Sequence, residues 1–318
     1  MASCAKIGVC YGMLGDNLPP PAEVVALYKQ NNIGRMRIFF PTNDVLNALR
    51  GSNIDLILDV PRENLQSVAS SAAAASDWIQ RNVLAYLPDV RFRYIAVGNE
   101  LIPGRTEAQY VFPAMQNIYK ALSSADLANQ IKVSTVVDMG ILGKSYPPSA
   151  GEFTASSKRF LRPIVGFLTQ TGAPLLANVY PYFSYIGNQR DISLEYALFT
   201  SPGTVFSDGG YAYQNLFDAI LDSVHAALEE IGAGGLKVVV SESGWPSAGG
   251  GAAATINNAR TYNQNFIRHA PKGTPRRPGR PIEAYVFAMF NENRKLQGTE
   301  QNFGLFYPNK QPVYPISF

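Results

Sequence analysis

Lys237–Pro246, KVVVSESGWP, combines a buried strand with a charge at its end. Val238, Val239, Val240 and Ser241 make a short, β-branched run of the kind found in a parallel sheet covered on both faces. Glu242 follows where the run stops, and a carboxylate is costly to bury, so it is expected at a strand end facing a cleft. Phe92–Asn99, FRYIAVGN, repeats the pattern and ends at Glu100. Two strands ending in glutamate, one after Asn99 and one before Gly244-Trp245, point to two carboxyl groups converging on one pocket.

Outward from these two strands, apolar segments alternate with helical ones. Lys6–Tyr11, Met36–Phe40, Ile54–Val60, Ile131–Val137, Leu175–Tyr180 and Ala284–Phe290 complete a set of eight strands. Helical patterns lie at Glu23–Gln30, Asp44–Leu49, Ser70–Ala85, Tyr110–Ala125, Lys158–Gln170, Leu216–Ile231 and Asn258–His269. Eight strands alternating with helices is the count of an α/β protein of the (β/α)8 TIM-barrel type. An open doubly wound sheet has the same alternation, but its Gly-rich phosphate turn is missing. The insert Pro181–Tyr213 after strand six is rich in Tyr, Phe, Gly and Asp, and the last thirty residues read as irregular. With no compositional break, residues 1–318 are expected to form a single domain.

Composition narrows the function. The chain has 318 residues, 46% hydrophobic and 16% charged, with a net charge of +3. No aromatic-basic interleaving marks a nucleic-acid face, and no apolar run approaches membrane-spanning length. The one basic stretch, Pro271–Pro281 (PKGTPRRPGRP), reads as a solvated turn rather than a surface for anionic polymers. Cys4, near the chain end, and Cys10, in a strand, make no disulfide framework. Met1–Lys6 has no apolar signal-peptide run.

Histidine chemistry is a poor fit. His225 and His269 are the only two, both in helical segments without metal-ligand spacing, so no metal or other cofactor is expected. Ser243 lacks a G-x-S-x-G elbow because residue 241 is Ser. What remains is a pair of carboxylates at the C-terminal ends of barrel strands, shared with Tyr11, Phe39, Asp59, Asn99, Asp138, Asn178, Tyr180, Phe290 and Glu292. Glycoside hydrolysis uses one protonated and one ionised carboxyl, about 5–5.5 Å apart when the anomeric configuration is retained.

The motifs GVCYG (8–12), IAVGNE (95–100), KVSTVVD (132–138), LLANVYPYF (175–183), VVVSESGWPSAG (238–249) and FNENRK (290–295) resemble glycoside hydrolase family 17. Within it, the likeness is to the plant endo-1,3-β-glucanases of pathogenesis-related class 2, from about Ile7 to Phe318. The resemblance implies a (β/α)8 barrel and retaining endo-hydrolysis of 1,3-β-glucans such as callose, laminarin and fungal wall glucan, in plant defence or wall turnover. Its alternatives are the 1,3;1,4-β-glucanase branch and a glucan-binding protein without turnover.

The resemblance also implies roles: Glu100 as acid/base, Glu242 as nucleophile and Tyr180 as hydrogen-bond partner of the nucleophile. Asn99 then holds the sugar 2-hydroxyl or the acid's surroundings. Glu292, Lys295 and Glu300 form a neighbouring polar cluster, and Lys295 beside Glu242 leaves Glu100 the more readily protonated partner. Tyr11 and Asn178 complete the expected sugar-binding set. Tyr180, Tyr182, Phe183, Trp245, Phe290, Phe303 and Phe306 are candidate sugar platforms, with Trp245 and Phe290 preferred because they flank the carboxylates. Phe39 stands where many relatives carry Tyr, removing one hydroxyl contact from a subsite. The implied setting is a monomer acting on polysaccharide in the cell wall or vacuole, its leader outside this numbering.

Overall fold

The structure, a computed structural model, describes residues 7–318. Cys4 and the start of the expected first strand lie outside the described residues. Eight parallel strands close into a barrel: β1 (Gly8–Cys10), β2 (Arg35–Ile38), β3 (Asp55–Val60), β4 (Arg91–Asn99), β5 (Lys132–Val137), β6 (Leu175–Asn178), β7 (Val238–Ser243) and β8 (Ala284–Val286). Each strand pairs with the next in sequence, and β8 closes the ring by pairing Val286 with Val9 of β1. The strands read as unbroken apolar runs because both faces are covered. Ile95 and Val97 of β4 pack outward against helices, while Tyr94 and Ala96 fill the lumen with Ile57, Val136, Leu176 and Val239.

The outer layer contains α1 (Pro21–Gln30), α2 (Asn43–Leu49), α3 (Arg62–Ser70), α4 (Ala72–Asn82), α5 (Ala108–Ser124) and α6 (Ala155–Thr171). Next come the short α7 (Pro181–Gly187) and α8 (Leu194–Ala197), then α9 (Leu216–Glu230) and α10 (Ile256–His269). The helix expected over Ser70–Ala85 is in fact two. Ser71 takes an extended backbone and its hydroxyl accepts from Ala74 N, so it ends α3 and caps α4. The insert after β6 contains α7, α8 and an antiparallel hairpin of Phe206–Asp208 with Tyr211–Tyr213.

Strand eight is shorter than the expected Ala284–Phe290. Beyond Val286 the backbone turns to bond the irregular C-terminal segment, with Ala288 N donating to Phe303 O at 3.0 Å and Leu305 N to Ala288 O at 2.9 Å. This strap carries Glu292, Lys295, Glu300 and Phe303 onto the C-terminal face of the barrel.

The opposite face is tied by one carboxylate. Glu283, just before β8 and 5% exposed, accepts from Arg93 Nε and Nη2 at 2.7 Å each and from Lys237 Nζ at 2.8 Å. Arg35 stands 3.7 Å away. These partners come from the starts of β2, β4 and β7, so the contact draws the N-terminal strand ends together. Burial pushes this carboxyl up, but Arg93 and Lys237 outweigh it and hold it at about 2. That lies below the ordinary glutamate value of about 4.3. The resulting stability is therefore present above pH ~4.3 and is lost as pH falls toward 2. Glu283→Gln is expected to lower the unfolding free energy by about 2–3 kcal/mol at pH 7 and to flatten its dependence between pH 4.3 and 2, read by urea titration.

Candidate active site

The ends of β4 and β7 are irregular, and that irregularity turns their carboxylates inward. In β4 the register with β5 shifts between Ala96 and Asn99, Gly98 has φ +77°, and Glu100 has φ +54°. A glutamate in the left-handed region costs about 1–3 kcal/mol and persists where neighbours hold it. Glu100 N donates to Val136 O at 3.0 Å, which fixes that turn. In β7 the register with both neighbours shifts after Val240. Gly244 follows, where any Cβ would overlap the Phe287 carbonyl, so only glycine lets the two strand ends approach.

Arg37 of β2 sits among these ends, fully buried. Its Nη2 donates to Asp59 Oδ2 at 2.6 Å and to Asn99 Oδ1 at 2.9 Å, and its Nε to Asp59 Oδ1 at 3.2 Å. Nη1 donates to Glu242 Oε1 at 2.7 Å. Burial works to neutralise this guanidinium, but Asp59 and Glu242 more than compensate, so it stays cationic. Burial likewise pushes Asp59 up to about 6 against the pull of Arg37. Tyr180 donates to the other oxygen, Glu242 Oε2, at 2.6 Å. Burial and the Glu242 charge raise the Tyr180 phenol well above its ordinary range, keeping it a neutral donor. With both oxygens accepting, Glu242 is held in a fixed orientation.

Asn178 couples this group to Glu100. Its Nδ2 donates to Glu100 Oε1 at 2.7 Å, while its Oδ1 accepts from Ser241 Oγ at 2.8 Å. Burial first, and the Glu242 charge second, push Glu100 up to about 7. One carboxyl is therefore clamped by donors and the other is readily protonated near neutrality, the division of labour that acid-assisted displacement needs. Both open into a cavity of about 700 Å³ on the C-terminal face, lined also by Phe39, Asp138, Phe183, Phe287 and Phe303. Among the described residues, no group of three or more His, Cys, Asp and Glu side chains is placed to hold a metal ion.

The family model for glycosyl hydrolases family 17 matches residues 7–318. This chain belongs to that family. It is 58% identical over 317 residues to a glucan endo-1,3-beta-glucosidase of Pisum sativum, covering 99% of this chain and 85% of that protein. A glucan endo-1,3-beta-glucosidase of Vitis vinifera is 57% identical, with 98% and 92% covered. Among solved structures, one of two plant beta-glucan endohydrolases with distinct substrate specificities superposes with TM-score 0.94 at 50% identity, covering 98% of this chain and all of that one. CJP38, a beta-1,3-glucanase and allergen of Cryptomeria japonica pollen, gives 0.95 at 49% identity, with 98% and 99% covered.

The family 17 cleft brings together Asn99, Glu100, Asn178, Tyr180, Glu242, Glu292, Lys295 and Glu300. Five expected residues, Tyr11, Tyr182, Trp245, Phe290 and Phe306, are buried and do not line it. Trp245 is fully buried behind the cleft, packed against Tyr182 and Tyr262 with Nε1 donating to Ala253 O at 2.9 Å. Phe290 is also buried, edge-on to Tyr11, whose phenol is pushed up to about 12 by burial and Glu292. The aromatic lining of the cleft instead comes from Phe183, which is exposed, and from Phe303, largely buried at its edge, with Tyr180 between them.

Lys295 also departs from expectation. Its Nζ lies 3.3 Å from Glu292 Oε2 and over the Phe287 ring, and the cation on Glu242 is Arg37. Sequence reasoning missed Arg37. The available signal was a charge inside the apolar strand MRIFF, which needs a buried partner. Asn99 spends its carbonyl on Arg37 and Asn178, so its part is at least partly architectural.

Two substitutions separate these assignments. Arg37→Lys keeps the charge but cannot reach Asp59, Asn99 and Glu242 together, and is expected to slow glycoside hydrolysis by at least about 10²-fold in a steady-state assay. Trp245→Leu is expected to lower stability by about 2–4 kcal/mol in urea, with KM unchanged because the ring does not face substrate.

Proposed function

We infer that this chain is a single-domain endo-hydrolase of internal 1,3-β-D-glucosidic bonds in 1,3-β-glucans, retaining anomeric configuration. The observation that carries the reading is the pairing of a protonatable Glu100 with a donor-clamped Glu242 in one cleft of a family 17 barrel. Its relatives' names give the linkage.

In the first step a Glu242 oxygen forms a bond to the anomeric carbon as the glycosidic C–O bond breaks, and Glu100 delivers its proton to the departing oxygen. Arg37, still neutralised by Asp59, holds Glu242 on line, and Tyr180 stays bonded while charge leaves the carboxylate. In the second step Glu100, now ionised, takes a proton from water, whose oxygen displaces Glu242 from the sugar. Phe183 offers an exposed ring to sugar C–H groups, with Phe303 packed beside it, while Asp138, Glu292 and Glu300 offer acceptors to hydroxyls.

Every side chain in this scheme comes from one chain, which supports action as a monomer. No described helix is long and apolar enough to cross a membrane. Relatives include basic vacuolar isoforms from Nicotiana, and we place this protein in the vacuole or the cell wall, acting on callose or fungal glucan.

Glu242→Gln is expected to reduce release of reducing ends from laminarin by more than roughly 10⁴-fold; full activity would overturn the assignment. Because Glu100 acts first as an acid, kcat/KM is expected to fall as pH rises through about 7. Glu100→Gln removes that limb and slows poor leaving groups most. Laminarin is expected to be cleaved well ahead of mixed-linkage 1,3;1,4-β-glucan, by product-length analysis; the reverse order would assign the other branch of the family.

A further inference from the structure

The basic stretch of residues 271–281 is not a loose turn. It folds as a small hairpin, Gly273–Thr274 with Arg277–Pro278, against α9 at the N-terminal face of the barrel, away from the catalytic cleft. Asp222 fastens it by accepting from Thr274 Oγ1 at 2.5 Å and Arg276 N at 3.0 Å. Arg276 pairs with Glu229, and Arg277 Nη2 donates to Gly234 O at 2.5 Å.

Between the hairpin, α9 and the starts of β7 and β8 lies a cavity of about 160 Å³. Its polar lining is Lys237, Arg277, Arg280, Thr274 and His225, over a floor of aliphatic side chains. Among the described residues no carboxylate lines it, although three cations do. Arg280 makes no ion pair with a described residue. Two buried nitrogens of lining residues, His225 Nδ1 and Arg277 Nε, have no hydrogen-bond partner among the described residues. An unpaired buried polar nitrogen costs about 1–3 kcal/mol, so an acceptor that reached either of these would be stabilising.

We propose that this cavity binds an oxyanion, a carboxylate or phosphate group, held by Arg277, Arg280 and Lys237 with His225 Nδ1 as a neutral donor. An acceptor with several lone pairs answers the orphaned nitrogens and gives Arg280 an anionic partner, beside Lys237 and Arg277, whose charges already meet Glu283 and Glu229 outside the cavity. Burial, then Arg277, Arg276 and Arg280, depress the His225 imidazole to about 3, so it is uncharged at working pH and adds a hydrogen bond rather than a fourth charge. The ligand would tie the hairpin to α9 and the strand starts, so binding is expected to appear as stability rather than as a change in hydrolysis.

The test is thermal unfolding of the whole chain at pH 6 in sodium phosphate, in sodium galacturonate and in sodium chloride of equal ionic strength. Phosphate or galacturonate is expected to raise Tm by about 3 °C over chloride, and whichever acts more strongly identifies the source of the anion. Arg280→Gln, at an exposed position, and the double variant with Arg277→Gln are expected to lose the rise while hydrolysing laminarin normally. The imidazole resonances of His225, one of only two histidines, should move with the active anion and not with chloride. Equal Tm in all three salts, or an undiminished rise in Arg280→Gln, would overturn the proposal.

Discussion

A guanidinium with no access to water organises the catalytic face. Arg37 must satisfy its donors inside the barrel, and the groups that do so arrive from the ends of β3, β4 and β7. Burying one charge forces the burial of opposite charges beside it, because an isolated ion inside a protein is far too costly. Asp59 and Glu242 answer that demand, and in doing so Glu242 acquires a fixed direction. Asn178 extends the arrangement to Glu100, which has no cation in direct contact among the described residues and is left to the effects of burial and of its acidic neighbour. Two glutamates of identical chemistry thus acquire different surroundings, one clamped by donors and the other pushed up by burial.

The two faces of the barrel use inverted versions of the same device. At the N-terminal face a buried carboxylate, Glu283, gathers cations from the strand starts. At the C-terminal face a buried cation gathers carboxylates from the strand ends. The first is saturated with hydrogen bonds and contributes stability. The second leaves Glu100 elevated and in a left-handed backbone, both of which oppose folding. Strain and displaced titration are concentrated where chemistry occurs, and the saturated ring below supports them.

The cleft walls follow from the path of the chain beyond β8. Once the backbone leaves the sheet after Val286 it pairs with 303–306, and this strap places Phe303, Glu300 and the Glu292–Lys295 pair over the strand ends. Gly244 permits the close approach of β7 to Phe287, and Trp245 immediately turns into the packing beneath α7 and α10. A tryptophan adjacent in sequence to β7 is therefore a wedge that supports the cleft floor, while a phenylalanine some sixty residues later lines the cleft.

The eight staves, their order and the two glutamates at the tips of β4 and β7 were legible in the linear chain. Apolar runs of strand length, alternating with helical stripes, signal a sheet covered on both faces, and an acid that ends such a run has only the cleft to face. The break at Ser71 and the early end of β8 were less legible, since one depends on a local cap and the other on hydrogen bonds to residues about fifteen positions away. Which residues meet across the lumen was settled only by three-dimensional closure. Arg37 and Glu242 are separated by 205 positions, and no local periodicity records that their strands face one another. The same closure sent Trp245 and Phe290 inward and gave Phe183 and Phe303 to the cleft, because ring orientation depends on how neighbouring elements pack and not on distance along the chain.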